Sequence, residues 1–101
     1  AASGSHGSAN LKHAFASELA TTQNLIMTRK SLLDTLRSKR PSISLSPQNL
    51  VAKDGTSLDS VRSQIASNNT AVGEAKLAQD LREIQTVLKD DISVLTRLIN
   101  N

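Results

Sequence analysis

Along two stretches of this chain an aliphatic residue returns every three or four positions. In the first, Phe15, Leu19, Thr22, Ile26, Arg29, Leu33 and Leu36 alternate steps of four and three, the seam of a coiled coil or a helical bundle. Leu25 and Leu32 widen the seam into a stripe, which favours more than one neighbouring helix. The pattern predicts a helix over about 11–38. Asn10 supplies a side-chain acceptor for its first amides, and Lys39 and Arg40 complement its negative end. Pro41 stops it, having no amide to donate and restricting the residue before it.

The second stretch carries two registers. Leu58, Val61, Ile65, Asn68 and Val72 form one seam, and Leu77, Leu81, Ile84, Leu88, Asp91, Leu95 and Leu98 form another. They are offset by a step of five, and the offset falls in the segment of this half with the weakest helix preference, 67–73. A helical region over about 56–99 with a break at 68–73 follows, opened by Thr56 with Asp59 in the manner of a capping box. Val87, Ile92, Val94 and Ile99 flank the last seam and exceed the girth that one antiparallel neighbour covers.

Residues 41–55 join the two stretches. Ser42 to Ser46 alternate polar and aliphatic residues, yet a lone strand has no partner here, so the segment reads as an extended linker. Ser46 before Pro47 has the form of a cap and first helical residue, predicting a turn or two over 47–52, and Asp54-Gly55 marks a tight turn. The fold class is therefore all-α: an antiparallel helical hairpin or coiled coil, with a three-helix bundle as the alternative. Residues 10–101 form a single helical domain. Ala1–Ser8 read as the small-residue scar of a cleaved tag, so 1–9 is expected to be a tag remnant or disordered tail on a fragment of a larger assembly subunit.

Composition narrows the function more than it names it. Fourteen leucines supply most of the apolar surface of 101 residues, and Phe15 is the only aromatic. Fully buried, each leucine stabilises by roughly 1.5–3 kcal/mol, so stripes left open call for a partner. The absence of cysteine excludes disulfides and thiolate metal sites and predicts an intracellular setting, cytoplasmic or nuclear. No apolar run is long enough for a membrane-spanning helix. Charge is uneven: residues 1–53 carry a net +5 and residues 54–101 a net −2, within the overall +3.

Catalytic chemistry finds no foothold. His13 has no carboxylate at relay spacing, and Asp90 and Asp91 are adjacent and point apart on a helix. Gly55 and Gly73 build no phosphate-cradling loop, and no set of His, Cys and carboxylate residues has metal-ligand spacing. The expectation is a non-enzyme without cofactor or metal: a helical protein–protein interaction or oligomerisation module, acting as a scaffold. Its packing or partner-facing residues are Phe15, Leu19, Leu25, Ile26, Leu32, Leu33, Leu36, Leu77, Leu81, Ile84, Leu88, Leu95 and Leu98, and its partner is a second copy or a helical protein. The alternative is nucleic-acid binding through a basic patch of Arg29, Lys30, Arg37, Lys39 and Arg40, which lacks stacking aromatics beside it. Asp91 and Arg29 each interrupt a seam with charge, and are expected to pair. Ser42, behind Lys39 and Arg40, and Ser46, before Pro47, are candidate phosphorylation sites.

Overall fold

Helices are the only regular elements among the described residues of the computed structural model, which are 2–45, 49–67 and 71–101, with side chains described for 16–45, 49–67 and 73–101. They are α1 (Ala2–Lys39), α2 (Leu58–Ser67) and α3 (Ala71–Asn100). At 1.5 Å per residue the 38 residues of α1 rise about 57 Å, so this one helix accounts for the long dimension of a molecule measuring 58 × 26 × 17 Å. The all-α class is as expected, in the three-helix form.

Helix α1 begins well before the expected boundary: its backbone passes through Asn10, which therefore does not cap it. At the other end Arg40 N–H still reaches the Leu36 carbonyl at 2.8 Å, and Pro41 then turns the chain away. Helix α2 starts at Leu58 rather than Thr56. Its cap is Ser57, whose hydroxyl oxygen accepts the Ser60 amide at 3.1 Å, two residues into the helix beyond the first.

The linker holds a small hairpin that the sequence reading lacked. Val51 and Ser57 form one antiparallel bridge, Leu58 N–H reaches the Leu50 carbonyl at 3.0 Å, and Ala52 N–H reaches the Thr56 carbonyl at 2.8 Å. Residues 49–52 are therefore extended, not helical. Gly55 closes the loop at φ +89°, a conformation open to glycine at little cost, and Asp54 Oδ1 accepts the Thr56 amide at 3.0 Å. The Asp-Gly turn thus stands where expected, but it ties the linker to itself.

A straight helix from Leu58 to Leu77 would separate them by about 28 Å. Instead Leu58 and Val61 share one core with Leu77, Leu81, Ile84, Leu88 and Ala52, with Leu19, Leu25, Ile26, Leu50 and Ile65 packed against it. Ser67 and Ala71 are only four residues apart, a span of at most about 14 Å, so α2 descends toward the start of α3 and the two run antiparallel. The two long helices do the opposite. Glu18 meets Arg82 and Gln85, Thr22 meets Gln85, Arg29 meets Asp91, and Lys39 meets Ile99. Both numbers rise together, so α1 and α3 are parallel, and the linker with α2 carries the chain back along them.

Candidate interaction surface

Two polar layers set the direction and register of the α1–α3 seam. In the lower one Thr22 is wholly buried; its hydroxyl donates to the Glu18 carbonyl at 2.8 Å, and Gln85 Nε2 donates to Thr22 Oγ1 at 3.2 Å and to the Glu18 carbonyl at 3.1 Å. Arg82 Nη1 closes the layer on Glu18 Oε2 at 2.8 Å. In the upper layer Arg29 Nε donates to Asp91 Oδ2, both side chains about one-fifth exposed. Seven residues separate the layers on α1 and six on α3, nearly two turns of the same seam. Reversing α1 about the Arg29–Asp91 pair would set Thr22 level with Leu98 and strand Gln85 among apolar groups, so the pair of layers selects the parallel arrangement.

At the hairpin, Lys76 Nζ bridges Asp80 at 2.8 Å and Asp54 at 3.0 Å, while the Lys53 amide donates to Glu83 Oε1 at 3.0 Å. These contacts pin residues 53 and 54 to one face of α3. The Thr56 hydroxyl and amide, and then Lys76, hold the Asp54 carboxyl at about 2. Glu18 is lowered chiefly by the Arg82 guanidinium, and Glu83 by the Gln79 amide and the Lys53 backbone N–H. All three bind a proton less readily folded than unfolded. Their contribution to stability is complete above the ordinary carboxylate values of 4.5 and 3.8 and is lost as pH falls through the lowered ones. The urea midpoint is expected to stay flat from neutrality to about pH 5 and to fall steadily toward pH 2. Glu18→Gln should make that fall shallower; a midpoint that climbs on acidification contradicts these contacts.

The seam residues divide by burial. Leu36, Leu77, Leu81, Ile84, Leu88 and Leu95 are at most 3 % exposed, whereas Leu19, Leu25, Ile26, Leu32, Leu33 and Leu98 are half-buried. The leucine rib of α3 is thus enclosed within one copy from Leu77 to Leu95 and half open at Leu98. Phe15's side chain and Ser46 lie outside the described residues. Of the basic set, Arg29 is spent on Asp91, and Lys39 Nζ donates to the Ile99 carbonyl at 2.7 Å. Lys30 and Arg37 are exposed and Arg40 is half-buried. Ser42 is exposed.

Among the described residues three large apolar side chains stand uncovered: Met27 on α1, 66 % exposed, and two that border the hollows along α3. Val51 is 37 % exposed and Val94 43 %. A groove of about 510 Å³ lined by Val51, Ala52, Lys53, Gln79, Arg82, Glu83, Thr86 and Val87 shares Val87 with a second hollow of about 240 Å³ formed by Val87, Asp90, Asp91 and Val94. The two hollows lie along one stretch of α3, a trough-like face between Gln79 and Val94 that rises about 22 Å or four helical turns. Its lower wall is the hairpin segment 51–53. At its upper end Asp90 is exposed with no ion-pair partner among the described residues, while the neighbouring Asp91 is held by Arg29. Val87 and Val94 were visible as flanking positions seven apart. Val51 was not, because only the hairpin brings it to α3.

No protein-family model matches the chain, and the searches of curated proteins and of solved structures give no match either. Among the described residues no helix is long and apolar enough to cross a membrane.

Proposed function

We propose that this chain is a non-catalytic helical interaction module, working inside the cell, that docks a partner protein's amphipathic helix in the trough of α3. The observation that carries the reading is the row of Val51, Val87 and Val94 along these hollows, Val51 and Val94 exposed and Val87 half-buried, with the unpaired Asp90 at its upper end. A helix laid there needs aliphatic side chains at i, i+3/i+4 and i+7, with lysine or arginine on the flank that meets Asp90. Two further features agree with it. The radius of gyration is 16.6 Å against about 13 Å for a compact domain of this size. The accessible surface is 6511 Å² against about 5,500 Å² from size scaling. An elongated rod with excess surface suits lateral docking.

The test uses the full chain and a labelled four-turn peptide with a Leu/Val stripe flanked by lysines, beside its glutamate-flanked counterpart and a mixed-sequence DNA duplex at two salt concentrations. The lysine peptide is expected to bind more tightly than the glutamate peptide. Val94→Asp should weaken it by about tenfold or more while leaving the helix content unchanged, since this side chain is already half in water. Equal binding of both peptides sinks the acidic-trough reading, and salt-sensitive DNA binding in their place would favour the exposed basic residues Lys30 and Arg37. Light scattering on the chain alone reports whether a second copy is the occupant.

A further inference from the structure

The α1–linker junction carries a feature unrelated to the trough. Arg40-Pro41-Ser42-Ile43 is a β-turn: Ile43 N–H donates to the Arg40 carbonyl at 3.0 Å, and Pro41 fills the position whose φ its ring presets. Ser42 stands at the next corner, exposed, with Arg40 two residues before it, Lys39 three before it and an aliphatic residue after it. Basic side chains just ahead of an accessible hydroxyl are what an acidic-clefted serine kinase grips. The same Lys39 holds the other long helix, its Nζ on the Ile99 carbonyl in the last turn of α3.

We propose that Ser42 is a phosphoacceptor for a basophilic serine kinase, and that its phosphate draws Lys39 off the Ile99 carbonyl, releasing the C-terminal turn of α3 from α1. The kinase transfers the γ-phosphoryl group of a nucleoside triphosphate to Ser42 Oγ; the hydroxyl loses its proton and the nucleoside diphosphate departs. The product adds about two negative charges and three acceptor oxygens within a turn of Lys39 and Arg40. A dianion is the stronger acceptor for an ammonium than a neutral carbonyl, so the lysine changes partner.

The experiment treats the full chain with ATP and the catalytic subunit of a basophilic serine kinase, maps the product by mass spectrometry, and follows amide exchange over 97–101. A peptide covering 38–45 serves as the unfolded reference. Phosphate is expected on Ser42 in both chain and peptide, absent from Ser42→Ala, and added about tenfold more slowly to Arg40→Ala, the loss of one charge-assisted contact. Phosphorylated chain should exchange faster over 97–101, as unmodified Lys39→Met does, and phosphorylating Lys39→Met should add nothing further. An unlabelled peptide, a labelled peptide with an unlabelled chain, phosphate on another serine, or unchanged exchange after modification each overturns the proposal.

Discussion

Leu81→Ala is expected to destabilise the chain by about 2–5 kcal/mol, a large share of what a single domain possesses. Leu81 is wholly buried in a core that, among the described residues, draws on all three helices and the hairpin, so no single element can shift to fill the space its three lost carbons leave. The loss combines the transfer energy of the missing atoms with the cavity they leave behind. In an elongated molecule with few fully enclosed side chains, there is little reserve to absorb it. Urea unfolding followed by helical circular dichroism should give a much lower midpoint with an unchanged slope. Met27→Ala, at a side chain 66 % exposed, should stay within about 0.5 kcal/mol of the parent. Comparable midpoints for the two variants would mean that Leu81 does not lie in a closed core.

Arg29→Asp comes next in size. It removes the guanidinium from Asp91 and sets two carboxylates against each other in a seam where each native partner is only about one-fifth exposed. Breaking a fully buried pair costs about 3–5 kcal/mol, and partial access to water reduces this to about 1–3 kcal/mol. Combining it with Asp91→Arg should restore most of the loss, because the two positions face each other across the seam. A double variant no more stable than the worse single one means that they are not neighbours, and the parallel arrangement loses one of its two locks.

Periodicity made the helices legible, and with them the α3 seam, because alternating steps of four and three have no other economical explanation. It also exposed Arg29 and Asp91 as paired interruptions. The relative direction of the long helices was beyond it: an aliphatic seam is nearly symmetric under reversal, and direction is written in Thr22 and Gln85, of which only Thr22 occupies a seam position. The expected attraction between a basic first half and an acidic second half carries no direction either. The hairpin was hidden for another reason. Val51 and Ser57 are too short a pairing to leave an alternating pattern, and their cohesion comes from Asp54, Gly55 and α3. Hence the buried leucines were identified and the trough beside them was not, since one of its walls exists only after the linker has folded back.

The parallel course of α1 and α3 has a kinetic corollary. In an antiparallel pair the first contacts beside the connecting loop are local, and each one shortens the next closure. Here the side-chain ties between the two rods span 60 to 67 residues at every level, so no short-range contact exists from which to zip. Every such contact must first meet the entropy of closing a long loop. The antiparallel α2–α3 unit with its hairpin closes shorter loops, whereas α1, which supplies most of the packing on α3, can join it only across the long one.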